Sequence, residues 1–206
     1  MRKKIIFVVL FPVMLFCLSS CQVGAVSVHP DPQSYEVFLR LYDYTPKIYA
    51  DKYQQYRGKK ICMSGIRNDA QNTTNFSYYS KDLKVRYNLS NKPNTMIQFV
   101  QSYFWYAYQK AFAHVGMEAS HYCATANMPE LWIIIQSFDD EELQLKINIL
   151  KSKETIYEKD LLIQMPAAVH RNPVSLKLRA YEMIDLTIMK ILDDQGFKEI
   201  ITGAND

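Results

Sequence analysis

The clearest pattern along the chain is an apolar stripe at helical spacing between Thr95 and Val115. Apolar residues recur there at three- and four-residue intervals, so they fall on one face of a helix. Thr95 and Gln98 make a capping box at the start, and Gly116 lies where a left-handed terminating residue is favoured. The pattern predicts a first helix over 95–115.

The same periodicity returns near the end of the chain and predicts a second helix from Pro173 to about Asp194. Asn172 is a favoured N-cap residue, Pro173 is tolerated in the first turn, and Gly196 lies near the expected stop. Each predicted helix has one apolar face and is therefore expected to cover another layer of the fold.

Seven shorter runs have the composition and alternation of β-strands. Alternation is clearest in Leu143–Leu150, which indicates a sheet with one face buried and one face mostly wet. The acidic run Asp139–Glu142 just before it predicts a solvated hairpin turn. The predicted strands are Lys59–Asn68, Phe76–Tyr79, Leu83–Leu89, Met117–Cys123, Leu131–Phe138, Leu143–Leu150 and Thr155–Met165.

This order of elements predicts an α+β fold, in which two helices pack on one face of a mixed, largely antiparallel sheet. A length of 206 residues suits one core beside a leader and a tether, and we place the single domain at residues 34–206. The tyrosine-rich segment Tyr35–Tyr56, with Pro46 in its middle, has no clear helical or strand pattern.

The first residues read as an export signal peptide, residues 1–20. A basic patch at positions 2–4 precedes the apolar run Ile5–Leu15, which is shorter than the roughly 20 residues that span a bilayer. Leu18-Ser19-Ser20-Cys21 looks like a bacterial lipobox, which predicts that the leader is removed and that Cys21 carries a lipid anchor. The other interpretations are a membrane-spanning segment and an ordinary cleavage site beside an unmodified Cys21.

Residues 21–33 contain Gly, Ser, Ala and two prolines with little apolar periodicity, which predicts a flexible tether between the lipid and the domain. Removal of the leader takes away three basic residues and no acidic residue, so 21 basic and 21 acidic residues remain. This balance lacks the positive field that phosphate backbones require, and nucleic acid is therefore not an expected partner.

Removal of the leader leaves two cysteines besides Cys21, namely Cys62 and Cys123. Disulfides form and persist outside the cytoplasm, so these two can be bridged, and they can equally be separate buried thiols. A metal site that joins His121 to these cysteines is disfavoured because the spacing matches no finger or zincin pattern. We therefore predict no metal.

Sequence patterns for catalysis are missing. The six glycines form no phosphate-binding loop, and there is no G-x-S-x-G nucleophile elbow. The run Asp139–Glu142 lacks the glycine and ligand spacing of an EF-hand loop. We expect no catalytic residue and no cofactor.

Trp105 and Tyr106 depart from the pattern of the first helix, because they project away from its apolar stripe among polar residues such as Ser102 and Gln109. Large aromatic residues outside a core often mark surfaces that bind partners. The pair is a candidate partner surface, and the alternative is that another segment, such as Tyr35–Tyr56, covers it.

The lipobox, the element order and several local patterns together resemble the ABC-type transport auxiliary lipoprotein family, whose members accompany membrane-lipid transport systems. The resemblance covers about Lys59–Leu192. It rests on the aromatic-rich helix Gln98–Phe112, the strand Leu131–Phe138 with the hairpin that follows it, and the late helix Leu176–Leu192. The tyrosine-rich stretch before the first strand departs from the family.

The resemblance implies a non-enzymatic lipoprotein that faces the periplasm and binds other protein components of an envelope lipid transport system. Gln22 is not the aspartate that resembles an inner-membrane retention mark, so the outer membrane is the expected destination of the anchor. Two other functions stay open, namely direct binding of a lipid or other apolar ligand and a small envelope enzyme.

Overall fold

The computed structural model describes residues 35–80, 83–90 and 99–203. The predicted leader 1–20, the proposed lipid site Cys21 and the tether 21–33 lie outside the described residues, as do Thr95 and Gln98 of the predicted capping box. The domain predicted to start at residue 34 is therefore described from Tyr35 onward.

The described residues form eight strands and three α-helices. The strands are β1 (Tyr35–Arg40), β2 (Lys60–Asn68), β3 (Ser77–Ser80), β4 (Val85–Ser90), β5 (Glu118–Ser120), β6 (Glu130–Phe138), β7 (Glu142–Lys151) and β8 (Glu154–Gln164). The helices are α1 (Val100–His114), α2 (Pro173–Leu192) and α3 (Gln195–Thr202). Each of the seven predicted strands and both predicted helices has a counterpart in the described part. The ends shift by a few residues, and the predicted strand Met117–Cys123 is reduced to the three residues of β5.

The strands are divided between two mixed sheets. The larger sheet has the order β5-β2-β6-β7-β8, in which β2 is parallel to both of its neighbours and the pairs β6–β7 and β7–β8 are antiparallel. The smaller sheet has the order β1-β4-β3, with β1 parallel to β4 and β3 antiparallel to it. The predicted α+β fold class is confirmed, and the division into two sheets is an addition.

One face of the larger sheet is buried. The apolar residues at alternate positions of β7, from Leu143 to Ile149, are fully buried, whereas Gln144 between them is exposed. This is the alternation of a sheet that is covered on one side. The helices provide the cover, since α1 packs on β2 and β5, α2 packs on β8 and β1, and the two helices contact each other.

α1 ends and α2 begins as their sequences predict. Gly116 has a φ of +83° just beyond α1, a left-handed conformation that favours glycine. At the start of α2, the Asn172 side chain accepts a hydrogen bond from the Ser175 N–H at 3.0 Å. Within the described ranges, no helix combines the length and the apolar character needed to cross a bilayer.

The predicted solvated turn between β6 and β7 is corrected at Asp140. Asp139 accepts two backbone N–H groups and closes the turn, but the Asp140 side chain is buried. Its Oδ2 lies 2.6 Å from Arg179 Nε, and its other oxygen accepts from the Tyr87 hydroxyl. Burial of this carboxylate is tolerated because a cation and a hydroxyl replace the lost water.

The region after α2 also differs from the expectation that Gly196 marks a stop. Asp194 caps a third helix, α3, and Gly196 is the second residue of that helix. A Cβ atom at position 196 would lie 2.5 Å from Cε2 of Tyr157 in β8. Glycine is therefore required here by the close approach of α3 to β8.

The tyrosine-rich segment, which has no periodic pattern, is organised by tertiary contacts. It contains β1 and two 3₁₀ segments, Leu41–Asp43 and Ala50–Tyr56. Tyr44, Tyr53 and Tyr56 are fully buried, and the Tyr56 hydroxyl donates to a backbone carbonyl at the end of α2 at 2.7 Å. Aromatic burial against α2 and α3 takes the place of a helical or strand pattern in this segment.

Candidate binding site

Trp105 lies on the side of α1 that faces the edge of β2. Its indole Nε1 donates to the backbone oxygen of Met63 at 2.6 Å, and its ring lies edge-on to His121 with centroids 5.5 Å apart. The ring is half-buried and packs against the core. The groups that cover Trp105 are thus β2 and His121 rather than the segment Tyr35–Tyr56, which the alternative interpretation named as one possible cover.

Tyr106 is the more open member of the predicted pair, with 44% of its surface exposed. Its ring lies edge-on to Trp105 with centroids 5.0 Å apart. Tyr106 and Gln109 line two neighbouring clefts, one of about 590 Å³ beside β2 and one of about 520 Å³ beside Tyr42 and Met117. The candidate partner surface therefore borders two concave regions, and the tyrosine-rich segment reaches only the second.

The larger concave region, here called the α1–β2 cleft, is formed by α1, by β2 and by the start of the loop after β5. β2 contributes Ser64, Gly65 and Ile66, and α1 contributes polar and aromatic residues between Gln101 and Gln109. Among its described lining residues there is no Asp, Glu, Lys or Arg. Aromatic rings, amides and hydroxyls in an open cleft suit the binding of an uncharged polar or amphipathic group.

A disulfide between Cys62 and Cys123 fastens one end of this cleft. Cys62 is fully buried in β2, and Cys123 lies three residues beyond the end of β5. The bridge ties the segment that carries His121 and Tyr122 to β2, and it thereby holds the His121 ring beside Trp105. Of the two alternatives left open by the sequence, the structure has the bridge.

The same geometry leaves little for a metal ion to bind. In the described ranges, no three side chains of His, Cys, Asp or Glu converge in a way that would hold one. Both sulfur atoms near His121 are used in the disulfide, so neither is available as a thiolate.

One buried acidic residue with a perturbed pKa lies outside the α1–β2 cleft. Burial raises the pKa of Asp185 in α2, although hydrogen bonds partly oppose the shift. Its two oxygens accept from the Tyr44 hydroxyl at 2.6 Å and from the Lys47 N–H at 3.2 Å. Both carboxylate oxygens therefore have hydrogen-bond partners in the tyrosine-rich segment. The role of Asp185 is to hold that segment against α2.

Sequence reasoning found the α1 half of the cleft and missed the β2 half. Gln101, Trp105 and Gln109 recur every four residues, which is a signal that would have placed them on one stripe of the helix. The contribution of Ser64 to Ile66 had no such signal, because it depends on where β5 stops pairing with β2.

Comparisons with known proteins give a likeness of fold. The chain matches no family model and no curated protein sequence. It is similar in structure to a Xanthomonas campestris protein, whose crystal structure is described as family-model DUF330, with a TM-score of 0.56 and 9% sequence identity. That match covers 82% of this chain and 98% of the other, and at this identity it shows the fold alone.

A second crystal structure, described as an uncharacterized protein, gives a TM-score of 0.38 at 7% identity. That match covers 77% of this chain and 99% of the other. A TM-score this low carries no argument about fold or function.

Proposed function

We propose that this chain is a lipid-anchored protein of the bacterial envelope that faces the periplasm and binds protein components of a lipid transport system without catalysing a reaction. The proposal joins three supports: the lipobox that ends at Cys21, the resemblance to the ABC-type transport auxiliary lipoprotein family, and the open aromatic surface of α1.

The observation that carries the binding role is the exposure of Tyr106 at the border of two clefts. A tyrosine there offers a large contact area with two rotatable bonds, so it loses little entropy when it is buried by a partner. Trp105 beside it is held by the Met63 carbonyl, which makes the surface rigid before a partner arrives.

The cleft favours a binding role over an enzymatic one. Its described lining includes no pair of carboxylates. The Ser64 hydroxyl in that lining donates to Glu130 at 2.5 Å, but the same Glu130 oxygen also accepts from the Trp132 indole at 2.8 Å, so this carboxylate links β2 to β6. It is also open and partly polar, whereas a carrier of an apolar ligand needs an enclosed apolar pocket. Protein binding is therefore preferred to lipid carriage.

The disulfide supports the compartment. A bridge between Cys62 and Cys123 is stable in an oxidising environment such as the periplasm, whereas cytosolic thiols are kept reduced. The proposed location and the disulfide are thus consistent with each other, although they are inferred from different parts of the chain.

The anchor is tested by mass spectrometry of the chain purified from bacterial membranes. We expect the leader to be absent and the first peptide to carry the mass of a lipid on Cys21. Cys21→Ser is expected to leave the chain unprocessed and to remove the adduct. An unmodified Cys21 in the wild-type product would contradict the proposed location.

The binding role is tested by comparing Tyr106→Ala with Tyr49→Ala in membranes solubilised under mild conditions. Both tyrosines are exposed, at 44% and 82%, but Tyr49 lies outside both clefts. Tyr106→Ala should lose co-purifying partners quantified by mass spectrometry, and Tyr49→Ala should retain them at the wild-type level. Equal recovery from the two variants would contradict a partner surface on α1.

A further inference from the structure

We infer that the α1–β2 cleft accepts an extended, uncharged segment of a partner protein, which adds as a strand to the open edge of β2 beyond the end of β5. This inference rests on the proposed function, since it names the kind of segment that a protein partner would place there. It follows from the pairing of β2, the hydrogen bonds made by α1 and the chemistry of the cleft.

The edge of the larger sheet has a step at this place. β5 pairs with β2 only along Lys60, Ile61 and Cys62. β2 continues to Asn68, and along that remainder its described strand partner is β6 on the opposite side. The stretch after Cys62 is therefore a strand edge that faces the cleft.

The backbone at Ile66 points toward this open side. The N–H of Cys62 bonds to Pro129 and the N–H of Asp69 bonds to Ile135, so both face β6. The register shifts by one residue between Met63 and Gly65. In a parallel ladder, the backbone N–H and C=O groups of alternate residues point to opposite sides of the strand. The backbone groups of Gly65 and Arg67 therefore point toward β6, and those of Ile66 point away from it.

Side chains of α1 occupy this edge up to the cleft and no further. Gln109 Nε2 donates to the outward carbonyl of Ala119 in β5 at 3.1 Å, and Trp105 Nε1 donates to the carbonyl of Met63 in β2. Within the described part of the chain, no such hydrogen bond reaches the backbone of Ile66 from the cleft side. An unpaired N–H and C=O on a strand edge are a template for another strand.

The lining identifies the occupant as an uncharged segment. A charged side chain would lose water in a cleft whose described residues include no opposite charge, and that loss is costly. His121, held by the disulfide, closes the end nearest β5. The distance from Ser64 to Asn68 at about 3.3 Å per residue leaves space for about four or five residues of an added strand.

The first experiment places a photo-crosslinking amino acid at Ser102, in the cleft, of the full chain in its native envelope. The control position is Val169, which is 86% exposed and lies outside the cleft. Mass spectrometry then identifies the crosslinked segment. We expect an uncharged segment of another protein from Ser102 and not from Val169. Absence of a crosslink, a segment of this chain or of a second copy, or a glycan or lipid adduct alone would overturn the inference.

The second experiment uses the identified segment as a synthetic peptide and compares Ile66→Pro with Ile66→Val in the full chain. Proline removes the N–H that faces the cleft and leaves the ladder to β6 intact, whereas valine keeps the N–H and the branched side chain. Peptide affinity should fall about tenfold or more in Ile66→Pro and stay near wild type in Ile66→Val. A thermal melt checks that each variant is folded.

Hydrogen exchange of the wild-type chain is a third readout, and it does not depend on whether Ile66→Pro folds. In the wild-type chain, the peptide should slow hydrogen exchange of the Ile66 amide about tenfold or more, because a new hydrogen bond forms there. Peptide binding with no change at Ile66 would overturn strand addition. If Tyr106→Ala still loses partners in that case, the proposed function survives and only the strand geometry fails.

Discussion

The two outer edges of the larger sheet are built differently. β8 forms one edge over eleven residues, and Glu158, Lys159 and Asp160 give it a charged centre. Lys190 from α2 donates to the backbone oxygen of Leu162 at 2.7 Å. At the other edge, β5 has three residues, and beyond it β2 borders an uncharged cleft.

The difference shows where the fold avoids strand pairing and where it permits it. Charged residues and a covering helix blunt an edge, because an incoming strand would have to bury or displace them. β8 has both devices, since α3 approaches it and Asp194 bonds to Tyr157 and Lys159. β2 borders a cleft with no charged residue in its described lining, and the one charged residue of β2 beyond Cys62, Arg67, is paired with Asp69. Aromatic residues of α1 border this cleft. We propose that the binding role belongs to this second edge.

The largest expected effect on stability comes from removing the disulfide beside the open edge of β2. Cys62→Ala with Cys123→Ala deletes a bridge that closes 61 residues of sequence separation, which should lower the free energy of unfolding by about 4 kcal/mol. Denaturant unfolding measures the loss. Partner recovery should fall as well, because the His121 wall of the cleft is released.

The control for this variant is the wild-type chain under reducing conditions, which should match it. A double variant as stable as the oxidised wild type would show that Cys62 and Cys123 are not bridged in the folded protein.

The next effect concerns the contact by which α3 covers the β8 edge. Gly196→Ala places a methyl group against the Tyr157 ring, where the Cβ would lie 2.5 Å from Cε2. We expect a loss of about 2 kcal/mol in the free energy of unfolding, because α3 or Tyr157 must shift. Gln195→Ala, in the same helix turn, is the matched control and should lie within about 0.5 kcal/mol of wild type.

Relief of the contact provides the second arm of that test. Combining Gly196→Ala with Tyr157→Leu should cost less than the sum of the two single changes, since leucine leaves space for the new methyl group. Strict additivity would mean that the approach of α3 to β8 is not the cause.

A smaller effect on stability is expected from removing the charge of Asp194, which lies beside β8. Burial alone would raise the pKa of Asp194, but hydrogen bonds from Lys159, from Tyr157 and from the Phe197 N–H hold it below its usual 3.8. The ionised form therefore adds stability that is present above the usual pKa and is lost as pH falls through the lowered pKa.

Asp194→Asn removes this charge and keeps a good helix N-cap. We expect a loss of about 1 kcal/mol near pH 7, measured by urea unfolding, and a difference from wild type that shrinks below about pH 4. A gap that stays constant between pH 7 and pH 2 would contradict a stabilising carboxylate.

The smallest effect on stability, with a large effect on binding, comes from giving the open edge the charge that blunts β8. Gln101→Lys in the α1–β2 cleft should change the free energy of unfolding by no more than about 0.5 kcal/mol. Partner recovery from solubilised membranes should nevertheless fall about tenfold. Gln164→Lys, at the exposed end of β8, is the matched control and should bind as wild type.

The fold was predictable where apolar residues recur with a strong period. The stripe of α1 and the alternation of β7 produce the elements that their sequences predict. The division into two sheets was not predictable, because β1 pairs with β4 across about fifty residues and only tertiary contacts select that partner. α3 was missed for a similar reason, since Gly196 reads as a stop until Tyr157 is seen beside it.

The candidate site divides in the same way. Trp105 and Tyr106 were identifiable because they break the pattern of their own helix. The Met63 carbonyl and the open backbone at Ile66 were not, since an unpaired strand edge is a property of the neighbours of β2. The disulfide stayed open at the sequence level because spacing does not report the distance between Cys62 and Cys123.

The most direct test of the central claim is hydrogen exchange, by mass spectrometry, on the anchored chain with its partners and after the partners are removed. We expect partners to slow exchange in peptides from β2 and α1, around Ile66 and Tyr106, and to leave exchange in peptides from β8 unchanged. Protection confined to β8, or no difference between the two samples at the β2 edge, would contradict it.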